Sequence, residues 1–372
     1  LYLGLSDVAQ ETAGHMPYFT VGSLPDEQVP TATLKRWLRQ FVEVRDSNAA
    51  ERAVIAAIRA DASDVELADM LFSAATDHRY LSLGHSFDFI NKACESLDRV
   101  GWDQAEAVLP SIIPLLTNAE RMEENNSWRS PVDLVTILDD AFAKLSTVLE
   151  AGESKTATPD FETLVPVILD DQPQTTVDAL LNALESGVTP KALAGVVTYA
   201  AAVRIAQFHT SNEFGDWDTA LHTFTFANAT HAALERVGSG DLVRGIFDAA
   251  MSIYLDRFLN IPATKIPQPT EKHPDPSQLL DELETLLNQQ QRVNQAGELV
   301  ALYLYSEGDD QLLLAKLGEL LLREDRNFHT IQCIEAAMKQ YKVLHGTPYA
   351  HVTLIAATRY LAAHAPTSRA QG

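Results

Sequence analysis

From Thr31 almost to the end of the chain, apolar residues return at intervals of three and four, the period of one face of an α-helix. Alternating apolar and polar runs joined by Asn-Gly or Gly-Asn turns do not occur, so no strand is predicted. The pattern predicts helices over 33–45, 47–60, 64–78, 84–100, 103–117, 131–150, 159–171 and 174–187. A second series is predicted over 189–208, 217–237, 240–259, 276–290, 292–306, 309–324, 328–344 and 349–363. Ser130 ahead of Pro131 and Thr189 ahead of Pro190 read as N-caps with proline in the first turn. Gly101, Gly187 and Gly346 stand where helices should stop. Residues 1–30 lack a sustained period and read as an extended arm laid over a helical body. Residues 31–372 read as a single large all-α domain of antiparallel helical hairpins. Within it, the proline-rich stretch 260–277 reads as an ordered crossover or active-site lid.

Composition narrows the function classes. A chain of 372 residues with 46% apolar and 21% charged residues is ordinary for a globular protein. The formal charge of -23 is not ordinary; it repels phosphate backbones and argues against nucleic acid or a bare anionic membrane as partner. Cys94 and Cys333 are far apart and both fall in helical patterns, so neither a disulfide framework nor a cysteine metal site is expected. A reducing cytoplasm fits this usage. The longest uncharged apolar run, Ala192 to Val203, has 12 residues and is too short to span a bilayer. No signal peptide opens the chain, and both ends read as cut from a surrounding protein, so a targeting segment could have been lost.

The candidate chemistry lies in the histidines. HSFDFINKA from His85 and HTFTFANAT from His222 are in register, and looser echoes begin at His329 and His351. Each reads as a helix, a joint, and a histidine opening the next helix, so the fold is expected to be pseudo-repeated around a central histidine-lined pocket. Neutral imidazole is a common ligand for transition metals, and helices meeting at a shared centre can each present one nitrogen. His78, His85, His209, His222, His329 and His351 are therefore the candidate metal ligands. Gly84 stands against a continuous helix joining His78 to His85. Asp88, three residues after His85, shares its side of the helix and serves either as a ligand or as an acceptor holding a histidine proton. In the loop between His209 and His222, Glu213, Asp216 and Asp218 offer a ligand or proton shuttle, Glu213 foremost, or act as helix caps. His231 is half a turn out of phase with His222 and reads as structural, and His364 as ordering the terminal segment. His345 reads as a helix C-terminal cation. His15 and His273 fall in irregular stretches and receive no role. Trp217 is a candidate pocket wall.

A Gly-rich phosphate loop, HExxH, GxSxG and paired ExxH sequences are all missing. The phrases DHRYLSLGHSFDFINKA, WDTALHTFTFANATHAAL, RNFHTIQCIEAAMKQY and AHVTLIAATRYLAAHAPT resemble those of histidine-rich, all-helical bacterial proteins often joined to a C-terminal Rieske iron-sulfur domain. More distantly they are similar to questin oxidase-like proteins and helical nonheme diiron monooxygenases. The resemblance spans roughly residues 30 to 370, with His85, His222, His329 and His351 the clearest matches. It implies one or two iron ions, O2 as co-substrate, a small apolar organic substrate and a Rieske-type or other electron donor. The chain holds none of the CxH pairs that a Rieske cluster needs, so that donor is expected in a separate domain or protein. Asp88 or Glu213 would supply the carboxylate. Two rival readings are a non-catalytic helical-repeat scaffold and a zinc-dependent hydrolase. The spacings of 137, 107 and 22 residues from His85 to His351 argue against the constant period of a solenoid.

Overall fold

The computed structural model describes residues 9, 13, 21–24, 29–268 and 274–371. Among them no strand occurs, and sixteen helices of nine residues or more form the body. Most of the predicted arm, together with His15 and His273, lies outside the described residues. The described residues separate into two compact units.

The smaller unit comprises the described residues up to Ala74 and residues Ala93–Asn118. Helices α1 (Thr31–Glu43) and α2 (Ser47–Arg59) pack as a hairpin, because Leu34, Leu38 and Val42 repeat on one face of α1 and are fully buried. Asp46 caps α2 by accepting from the Ala49 amide at 3.0 Å. Val21 donates its amide to Glu51 at 2.8 Å and Arg52 reaches the Gly22 carbonyl at 2.9 Å, so residues 21 and 22 are tied to α2. Helix α3 (Asp64–Thr76) follows. The helix predicted over 103–117 is instead a chain of short turns, Ala105–Val108 and Ile113–Thr117 among them. Pro110 and Pro114 remove the amide donors that a continuous helix would need.

The larger unit comprises Ala75–Lys92 and the described residues from Ala119 onward. The boundary falls inside α4 (His85–Val100). The helix predicted over 131–150 breaks at Ala143 and Lys144 into α5 (Leu134–Phe142) and α6 (Leu145–Glu153). Its cap is Asp133, accepting from the Thr136 amide at 3.0 Å, and not Ser130. Next come α7 (Phe161–Leu169), α8 (Pro173–Glu185) and α9 (Pro190–Ala206). Thr189 caps α9 through the Ala192 amide at 3.2 Å, as its sequence predicts.

Helix α9 is the axis of this unit, packed against α7, α10 (Phe214–Arg236), α11 (Arg244–Leu255), α15 (Phe328–Val343) and α16 (Ala350–His364). Its sequence is apolar all round, and every residue from Leu193 to Ala206 is buried, as a helix without a wet face must be. The remaining helices are α12 (Pro276–Leu287), α13 (Val293–Tyr305) and α14 (Asp310–Arg323). Leu279, Leu283 and Leu287 form the buried stripe of α12. The described part of the proline-rich connection is anchored: Thr264 donates its amide to Gln207 at 2.8 Å and its hydroxyl to Phe208 at 3.0 Å. No described helix is long and apolar enough to cross a membrane.

Candidate metal centre

Three histidines from three elements meet in the larger unit. His85 is the first residue of α4, His222 lies in the third turn of α10 and His329 is the second residue of α15. The expectation that each opens a helix therefore holds for His85 and His329 and fails for His222. Helix α10 begins at Phe214 because Glu213 and Asp216 form a reciprocal capping box there. Asn327 and Thr330 build the equivalent box ahead of His329. His85 is positioned by the joint before it, in which Tyr80, Ser82, Leu83 and Gly84 all take positive φ. Gly84 is required there: a Cβ would lie 2.7 Å from that of Phe226 and 2.9 Å from the Tyr80 ring. Ser82 ties the joint down through its amide to the Glu120 carbonyl at 2.8 Å.

The donor atoms converge. His222 Nε2 lies 2.9 Å from His329 Nε2, which lies 3.4 Å from His85 Nε2. All three ligand atoms fall within 4.8 Å of one another. Metal–imidazole bonds of about 2.0–2.1 Å place neighbouring donors roughly 2.9–3.4 Å apart, from octahedral to tetrahedral geometry. Nitrogens that face one another can share at most a few protons, whereas one cation satisfies all three lone pairs. The rings are kept neutral. Burial, reinforced by the other two histidines, lowers His222 to about 4, and burial also lowers His85 and His329. A backbone hydrogen bond to Ser82 also engages His85, the kind of contact that fixes a ligand ring's orientation. Phe328 packs on His85 at 5.5 Å and Phe89 on Phe328 at 5.7 Å, forming an apolar flank.

The other candidates lie elsewhere. Nδ1 of His78 meets Glu123 at 2.8 Å, His209 bonds Ser211 at 2.8 Å, and His351 packs against Tyr305 at 5.3 Å. Asp88 is buried in the first turn of α4, yet among the described residues no carboxylate joins the three-histidine group. Glu213 is exposed at the N-terminus of α10, where it caps the helix. Trp217 is buried against Phe208 with ring centroids 5.0 Å apart. His231 Nδ1 accepts from the Gln340 side-chain amide at 3.1 Å inside the core.

Two neighbours of the centre were read only loosely from sequence, Asp218 as one of three loop acids offering a ligand, a proton shuttle or a cap and His364 as ordering the terminal segment. Asp218, one turn before His222, accepts from the Tyr360 hydroxyl at 2.6 Å and lies 3.7 Å from His364 Nε2. Its negative charge favours the protonated forms of His222 and His329, opposing burial. The spacing of four between Asp218 and His222 was the available signal. His364 is 13 residues after His351 on the same helix, which turns it to another side, and that side faces α10.

His222 also forms part of the wall of a cleft of about 440 Å³. Tyr80, Trp128, Thr223, Tyr254 and Asp256 line it further. Tyr80 and Trp128 stack with centroids 6.1 Å apart, and the Thr223 hydroxyl donates to Asp256 at 2.7 Å. No family model, curated protein or solved structure matches this chain.

Proposed function

We propose that this protein is a metal-dependent enzyme in which His85, His222 and His329 hold one transition-metal ion beside the cleft. A single observation carries the reading: three neutral imidazoles bring their Nε2 atoms together, and one of the three, His222, lines an aromatic-walled cleft. Three protein ligands leave coordination positions open, as catalytic sites require and structural sites do not.

Among such enzymes we favour a nonheme iron oxygenase acting on a small, largely apolar organic molecule, in keeping with the family resemblance of the histidine phrases. Iron(II) held by these residues would supply the means of activating O2. The chain's own contribution is threefold. The three rings present their lone pairs, Phe89 and Phe328 pack as an apolar flank, and Tyr80 and Trp128 hold the substrate body in the cleft. Insertion of one oxygen atom, with the other leaving as water, consumes two electrons and two protons. A separate electron-transfer domain or protein would deliver the electrons. The three donors suit one ion; a second would need carboxylates that the described cluster lacks. That same all-histidine donor set favours a second reading, a zinc hydrolase, since three histidines and a water form a known catalytic zinc shell.

Elemental analysis of protein purified without chelator decides between them. About one equivalent of iron, with O2 uptake on addition of a reductant, is expected. Zinc retained in preference to iron would transfer the assignment to hydrolysis, and absence of any bound metal after anaerobic reconstitution would remove the enzyme reading.

A further inference from the structure

The cleft contains a group that the metal centre does not use. Asp256 is only 6% exposed and lines the cleft wall. Its Oδ2 accepts from Thr223, while among the described residues Oδ1 has no hydrogen-bond partner. Among the described residues no cation pairs with it. Arg204, whose charge acts on it from nearby, gives its donors to Asn260 at 2.9 Å and to the carbonyls of Leu169 and Ile253 at 3.2 and 3.1 Å. Burial without an ion pair pushes the Asp256 carboxyl up to about 7. A buried carboxylate in this state is costly until a cation or a strong donor reaches it.

We infer that the cleft beside His222 binds an organic amine, whose ammonium pairs with Asp256 Oδ1 while its apolar body lies against Tyr80 and Trp128. Aromatic faces attract organic cations as well as apolar surface, and these two rings stand as a stacked pair on the cleft wall. The formal charge of -23 raises the local concentration of cations and disfavours anions. The cation that does line the cleft, Arg257, lies over the Tyr254 and Phe258 rings at 3.9 and 4.1 Å and donates to the Tyr254 carbonyl at 2.9 Å. It is thus committed to a different pair of rings. The volume, about 440 Å³, is that of a pocket for a drug-sized molecule. His222 and Asp256 line the same cleft, so a ligand anchored on this carboxyl shares the cleft with one of the three histidines. Its role as substrate rests on the enzyme reading above; its binding does not.

The test uses the full chain stripped of metal, titrated calorimetrically with three probes that share an indole ring: tryptamine, tryptophol and indole-3-propionate. Tryptamine is expected to bind at least tenfold tighter than either of the others. Asp256→Asn should remove that preference while leaving tryptophol affinity within about twofold. Equal affinity for tryptamine and tryptophol would overturn the proposal by reducing the site to apolar contact. Tighter binding of indole-3-propionate would overturn it in favour of Arg257 as anchor, and no binding of any probe would remove the site. The wild-type series stands on its own should the variant fail to fold. Because no metal is present, loss of the amine preference leaves the metal centre intact, and an amine preference in a chain that takes up no metal supports the site but not its role as substrate pocket.

Discussion

An imidazole binds metal through a lone pair, so what matters at His222 is that burial and two neighbouring rings hold it neutral. Burial acts on Asp256 in the opposite sense, because for a carboxyl the neutral form is the protonated one. Its folded value of about 7 stands against 3.8 for the ordinary carboxyl. Between those values the folded chain keeps a proton that the unfolded chain releases, so this residue's contribution to stability is fully present below the lower value. It is lost as pH rises through the upper one. The full span is worth at most about 4 kcal/mol. Thermal melts from pH 5 to pH 8 should therefore show a steeper loss of Tm in the wild type than in Asp256→Asn. Parallel curves would mean that Asp256 is ionised throughout, with a partner. The difference between the two proteins isolates this group from every other titration.

At the scale of elements, the centre depends on how two helix starts and one helix middle are held. The joint 80–84 stores backbone strain immediately before His85: three non-glycine residues, Tyr80, Ser82 and Leu83, take φ of 43°, 48° and 58°, a region that costs each of them of order 1 kcal/mol. Gly84 at φ 87° is closed in by Phe226 and Tyr80. The variant Gly84→Ala should lower stability by about 1–3 kcal/mol and weaken cobalt(II) binding, read from its visible absorption, at least tenfold. Gly215→Ala, at a site where an added methyl meets nothing within 4 Å, is the control. Unchanged cobalt affinity in Gly84→Ala would show that the joint does not position His85. The two histidine phrases that the sequence aligns are in contact. His85 and His222 rings sit 4.6 Å apart edge to face, and Phe87 meets Phe226 at 5.4 Å, so the matching phrases touch.

For the molecule as a whole, an ion that binds only the folded state stabilises it in proportion to the logarithm of its concentration over Kd, by about 2.7 kcal/mol at a hundredfold excess. Saturating cobalt(II) should raise the Tm of the wild type and of His209→Ala, and leave that of His222→Ala unchanged. Equal shifts in all three would place the ion elsewhere. Periodicity alone decided that the chain is all-helical, since repeats of three and four leave strands nothing to build on, and the apolar run of α9 already marked a helix enclosed on every side. The histidine phrases were also legible, because those beginning at His85, His222 and His329 stand out in a chain with two cysteines. Which of the six candidate histidines meet was not legible. His351 opens its helix as His329 does, yet packs beside Tyr305, while His364 at the far end of α16 approaches Asp218. Sequence spacing fixes the angle of a side chain about its own helix axis. It says nothing of which neighbouring helix that angle faces, and so the convergence of three rings, and the buried carboxyl of Asp256 beside them, exist only through the packing of α4, α10, α11 and α15.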